Sequence, residues 1–129
     1  MAKNYTLNAS LNMSAVTSTG YSQSQSGSFS LNITGVDQIA TGRIDCATGS
    51  DATIMAAPGY GKAIYVRNLD EANALEVYSG ATTDNDLIGV LKAGEFLFVV
   101  LRDTNTVTAR GTTATVTAEY FAVEIDANA

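Results

Sequence analysis

The sequence predicts an all-β protein, a β-sandwich or jelly-roll-like fold, and three observations carry that reading. Apolar and polar residues alternate with period two along several segments. Turn signals recur about every 8 to 12 residues between short β-branched and aromatic runs. No segment sustains a helical period, and the one candidate, residues 70–75, is too short to persist by itself. At 129 residues the chain has the size of one domain with one core.

The first strand is predicted where Tyr5, Leu7, Ala9 and Leu11 alternate with Thr6, Asn8, Ser10 and Asn12. Phe29, Leu31 and Ile33 alternate with Ser30, Asn32 and Thr34 as its partner. Residues 17–27, small and polar, read as a long flexible hairpin loop or arm. From residue 35 to 58 the pattern weakens to short strands around Val36, Ile39, Ile44, Ile54 and Met55, broken by Gly42, Gly49 and a Ser50-Asp51 turn.

The pattern then sharpens. Residues 63–68 form a β-branched strand, 70–73 a turn, and Leu75-Glu76-Val77-Tyr78-Ser79 its neighbour. Leu87-Ile88-Gly89-Val90-Leu91 follows, then a tight turn at 92–95 and the apolar run Phe96-Leu97-Phe98-Val99-Val100-Leu101. Without polar alternation, that run is expected to be buried on both faces, in the sandwich centre or under a neighbouring chain. Residues 106–110, a turn at Gly111 and a long Thr/Val/Ala-rich strand through Val116, Tyr120 and Val123 complete the chain. Within this single domain, residues 59–126 are expected to form a compact sandwich body and residues 1–34 an interaction hairpin or arm.

Charge is distributed unevenly. No Asp, Glu, Lys or Arg occurs between Lys3 and Asp37, whereas 15 of the 20 charged residues follow Pro58. Monomers usually guard strand edges with Lys, Pro or bulges, and this uncharged strand pair carries no such guard, so it reads as a subunit contact. The residues expected to make contacts are Tyr5, Leu7, Leu11, Phe29, Leu31 and Ile33 of the pair, with Phe96 and Phe98 of the apolar run.

The chain has no His, no Trp and one Cys. His-based acid/base chemistry, Ser-His-Asp and Cys-His nucleophiles and His/Cys zinc sites are therefore excluded, as is an internal disulfide. The expectation is a non-enzyme with no catalytic residue, metal or cofactor. A net charge of −6 without a basic cluster argues against direct nucleic-acid binding. No apolar leader follows Met1-Ala2-Lys3, and no window approaches the roughly 18 apolar residues of a membrane span, so an unexported chain without a membrane partner is expected.

The remaining motifs are weak. Gly59-Tyr60-Gly61-Lys62 has the glycines and Lys of a phosphate loop, but strand residues stand where that loop needs Ser/Thr and a helix. Asp84-Asn85-Asp86 offers hard oxygen ligands without the spacing of a calcium loop, and Asx runs favour turns for backbone reasons alone. A glycosidase-type carboxylate pair needs a geometry that sequence cannot display. Cys46 reads as an inert thiol, and the sequons at Asn8, Asn12 and Asn32 matter only on export.

One resemblance emerges in the second half of the chain. Ile64-Tyr65-Val66-Arg67-Asn68-Leu69-Asp70, Asn73-Ala74-Leu75-Glu76-Val77, Leu91-Lys92-Ala93-Gly94-Glu95-Phe96, Thr106-Val107-Thr108-Ala109-Arg110 and Ala118-Glu119-Tyr120 follow one another in order. This pattern resembles small virion proteins of tailed bacteriophages, in which an Asn-Leu-Asp turn joins two strands and a Leu-Lys-x-Gly-Glu turn leads into an apolar strand. It covers about half the chain. The resemblance implies a capsid decoration or cement protein on the virion surface, made in the host cytoplasm. Its implied partners are the major capsid protein and further copies of itself, with a trimer as the expected closed form. A head-tail, tail or fibre component is the near alternative, and a carbohydrate-binding β-sandwich the second.

Overall fold

The computed structural model describes residues 3–16, 22–36, 39–80 and 86–125, and in the first two strands it describes side chains only at residues 6, 8, 10, 11, 26–28 and 30. All regular structure among these residues is β. The strands are β1 (Lys3–Val16), β2 (Ser22–Val36), β3 (Ile39–Cys46), β4 (Ala52–Met55), β5 (Lys62–Asn68), β6 (Leu75–Ser79), β7 (Leu87–Leu91), β8 (Phe96–Leu101), β9 (Val107–Gly111) and β10 (Val116–Glu124).

From β3 onward the pairing is nested. β3 pairs with β10, β4 with β9, β5 with β8 and β6 with β7, all antiparallel. Two further ladders, β10 to β5 and β9 to β6, fold this ribbon into two four-stranded sheets, β3-β10-β5-β8 and β4-β9-β6-β7. This is the wiring of an eight-stranded jelly roll, as the alternation and turn spacing predicted. β1 and β2 form a third, two-stranded sheet that shares no ladder with either.

The core lies between the two four-stranded sheets. Ile64, Val66, Val116, Ala118 and Ala122 from one sheet meet Leu75, Val77, Val107 and Ala109 from the other, with Ile54, Met55 and Leu91 closing it. In the clearest case burial follows the pleat, β6 reading buried, half-buried, buried, half-buried, buried. Cys46 is fully buried, and its thiol pKa is pushed up to about 11 by burial, with the Asp45 charge adding to the rise.

Three expectations need correcting. The body begins at Ile39 rather than at residue 59, because β3 and β4 are integral strands of the two sheets. Residues 22–27 belong to β2 rather than to a loop, since their backbone pairs with β1 from Gly27 opposite Leu11 to Ser22 opposite Val16; side-chain character did not decide the pairing. Only residues 17–21 of the expected loop lie outside the described set. β8 is an edge strand, not a central one: Leu97, Val99 and Leu101 pack on the core while Phe96, Phe98 and Val100 occupy the outer face. The turn expected at residues 70–73 is present, with Asp70 Oδ1 accepting from the backbone amides of Ala72 (2.8 Å) and Asn73 (2.6 Å), an Asx turn.

Two glycines answer to close packing. Gly42 has φ +145° and lies under the Tyr120 ring, its cross-strand partner. A Cβ on Gly111 would collide with the Ala114 carbonyl oxygen and meet the Cys46 carbonyl oxygen at 2.9 Å. Backbone cannot yield as a side-chain tip does. Gly111→Ala is therefore expected to cost about 3 kcal/mol or more, the upper range for overpacking, and a thermal melt unchanged from wild type would contradict this.

Candidate interaction surface

The register fixes what the outer face of the β3-β10-β5-β8 sheet presents. One cross-strand row runs Thr41, Phe121, Tyr65, Phe98, and the next runs Arg43, Glu119, Arg67, Phe96. A third row, Ile39, Val123, Ala63, Val100, is apolar throughout, and its middle members Val123 and Ala63 are buried. The aromatic residues thus converge from three strands. Tyr65 and Phe96 are tilted neighbours with ring centroids 6.1 Å apart. Phe96 remains 53% exposed at the open edge of β8.

Across from this face stands the hairpin. Asn8 and Ser10 of β1 line a cleft of about 570 Å³ together with Tyr65, Arg67, Phe96, Phe98 and Phe121. The cleft therefore has an aromatic floor, one guanidinium and a neutral polar wall. Aromatic rings offer apolar area with little conformational entropy to lose, and Arg, Asn and Ser supply directional donors and acceptors.

The expected contact residues distribute as follows. Phe96 and Phe98 lie in the aromatic rows. In the hairpin, Tyr5 is directly opposite Ile33 and Leu7 opposite Leu31, Phe29 is opposite Ala9, and Leu11 is opposite Gly27, which puts all six expected positions on one face of the ribbon. The side chains of Tyr5, Leu7, Phe29, Leu31 and Ile33 lie outside the described residues; Leu11 is 63% exposed. The opposite parity, Thr6, Asn8 and Ser10 facing Asn32, Ser30 and Ser28, is wholly polar. Tyr65 and Phe121, expected as core or interface packing, and Arg67, not foreseen in any such role, join this surface because the β5–β8 and β5–β10 registers bring them beside Phe96 and Phe98.

A second polar site was also missed. Lys62, of the Gly-x-Gly-Lys motif, is fully buried at the start of β5. Its Nζ donates to Ser79 Oγ (3.0 Å), Asp103 Oδ1 (2.5 Å) and the Asn105 carbonyl (2.5 Å), using all three protons. Ser79 Oγ in turn donates to Asp103 at 2.9 Å. Lys62 is in one sheet and Ser79 in the other, so the ammonium links the layers rather than facing a solvent anion. A smaller cleft of about 330 Å³ lies alongside, lined in part by Ser79, Asp86 and Asp103. Asp84 falls outside the described residues, and among those described no group of three or more acidic or Cys residues is placed to hold a metal ion.

In comparisons with protein-family models, curated proteins and solved structures, nothing matches this chain. What can be said of its role rests on its own residues.

Proposed function

We propose that this chain is a non-enzymatic structural subunit of a tailed-bacteriophage particle, a decoration or cement protein. It binds the major capsid protein on the outer capsid surface as a homotrimer. The observation that carries the reading is the hairpin: strands of 14 and 15 residues, uncharged beyond Lys3, that form a sheet of their own beside a complete jelly roll. A body that is already closed does not require such an arm for its core, and an uncharged, unguarded ribbon is suited to contact with another protein surface. The resemblance of its turn pattern to that of small virion proteins supports the same assignment, and the two principal turns of that pattern lie side by side, since Asn68 Nδ2 donates to the Leu91 carbonyl at 2.9 Å. Seated where coat subunits meet, the trimer adds buried area that resists internal pressure.

The test is co-sedimentation of the purified full-length chain with undecorated capsids from its source. Saturable binding at hundreds of copies per particle supports the reading. Binding at only about six or twelve copies assigns the chain to a head-tail, tail or fibre position instead, as closed point-group assembly requires there, and no binding overturns both. A carbohydrate-binding role is the second reading, favoured by the aromatic floor of the 570 Å³ cleft beside Asn8, Ser10 and Arg67. It predicts that oligosaccharides perturb tyrosine fluorescence, which the absence of Trp leaves unobscured.

A further inference from the structure

The cleft between the hairpin and the β3-β10-β5-β8 sheet, about 570 Å³, has the size of a small-molecule site and the usual makeup of one, a mostly apolar lining with a few polar groups. Its two sides differ in chemistry. The sheet supplies aromatic rings, with Tyr65 and Phe96 tilted against each other at a centroid separation of 6.1 Å. The hairpin supplies the amide of Asn8 and the hydroxyl of Ser10, and the exposed Ser30 and Ser28 directly opposite them extend this neutral wall. A ligand that satisfies both sides needs one apolar face and a rim of hydroxyls. A sugar ring has both, since its C–H face stacks on aromatic rings while its hydroxyls donate to and accept from amides and hydroxyls.

Charge narrows the class. Arg67 is the one charged residue among those lining the cleft; it is exposed, and among the described residues it forms no ion pair. In its cross-strand row Glu119 stands between Arg43 and Arg67. Two guanidiniums thus share one carboxylate, and the row keeps one positive charge in a chain of net charge −6. One surplus charge suits a single carboxylate, which a guanidinium grips through two parallel hydrogen bonds. It does not suit the several phosphate charges of a nucleotide, which the rest of this acidic chain repels.

We propose that the cleft binds an acidic oligosaccharide, with a uronic-acid carboxylate on Arg67, the ring face on Tyr65 and Phe96, and hydroxyls on Asn8 and Ser10. The inference rests on the carbohydrate reading of this cleft and adds the charge of the sugar; it does not depend on capsid binding.

The test is isothermal titration calorimetry of the full-length chain with uronic-acid oligosaccharides of galacturonate, mannuronate and hyaluronan type, each beside its carboxyl-reduced neutral counterpart. At least one acid is expected to bind about tenfold tighter than its neutral counterpart, the worth of a charge-assisted pair. That advantage should shrink in about 0.5 M salt, as an exposed pair is screened. Arg67→Gln is expected to bind acid and neutral forms alike, whereas Phe96→Ala weakens both. Both side chains are exposed, so neither change empties the core. Non-specific attraction to a chain of net charge −6 would favour the neutral sugars, which makes a preference for the acid a local property. Equal binding of acid and neutral forms, or a preference for the acid that survives Arg67→Gln, overturns the proposal and leaves the carbohydrate reading standing. No binding by any saccharide of the panel overturns both.

Discussion

Replacing Asn68 with alanine is expected to cost about 3 kcal/mol, as the three hydrogen bonds of a buried amide, at about 1 kcal/mol each, are lost and their partners are left without replacements. The side chain is fully buried at the end of β5. Its Nδ2 donates to the Asn73 carbonyl (2.8 Å) and the Leu91 carbonyl (2.9 Å), while Oδ1 accepts from the Asp70 amide (2.8 Å). Its backbone joins the same node, the amide donating to Glu95 O and the carbonyl accepting from Gly94 N. One residue thus fastens the β5–β6 loop to the β7–β8 turn, in which Gly94 adopts φ +77° and Glu95 Oε2 accepts from Lys92 N. Asn68→Asp is the harsher variant, because it keeps the volume but turns the two donors into a carboxylate oxygen that faces two carbonyl oxygens in a buried site. It should destabilise at least as much in urea titration, and a loss below about 1 kcal/mol for both variants would mean the two turns hold without this amide.

The node explains why the second half of the chain was easier to read. β6, β7 and β8 begin and end where alternation and turn residues placed them, because strand period and turn chemistry are local properties. What is not local was not legible. The nested order that pairs β3 with β10 and β4 with β9 depends on residues far apart in sequence, and it decides that Phe96–Leu101 is an edge. An uninterrupted apolar run looks central, but here its outward half extends an aromatic face contributed by Tyr65 and Phe121. β2 was read too short because Ser22–Gly27 has the composition of a loop, yet the ladder needs only amides and carbonyls, which every non-proline residue supplies. Phe96 and Phe98 were recognisable by type, whereas Arg67 joined them only through register. Lys62 was hidden most completely, since a lysine beside glycines gives no sign of an aspartate 41 residues away.

That buried lysine makes the second large prediction. Asp103→Ala is expected to cost about 3 kcal/mol, the low end for stranding a buried charge, because Ser79 and the Asn105 carbonyl still accept from the ammonium. Lys62→Met should cost less, about 1 kcal/mol. It removes the charge that cannot reach water and leaves Asp103, whose side chain is 37% exposed, free to be solvated. The order is the reverse of what burial alone would give. The double variant Lys62→Met/Asp103→Leu should be less destabilised than Asp103→Ala, since no ion then remains beside the core, and a thermodynamic cycle through the matching single variants measures the coupling. Acid provides an independent check. Burial by itself raises the Asp103 carboxyl, but hydrogen bonds from Lys62, the Asn105 amide and Ser79 outweigh it and hold the group below its ordinary value. Asp70 is lowered too, chiefly by the Asn73 and Ala72 amides. Lowered carboxyls contribute stability that is present above the unfolded carboxylate range, near pH 4, and is lost as pH falls through the folded values. Wild-type stability should therefore decline below about pH 4, and Asp103→Asn should flatten that decline while Asp70 maintains the remainder. Equal acid sensitivity in wild type and Asp103→Asn would show that the two sheets are joined by packing alone and that the ammonium link is incidental.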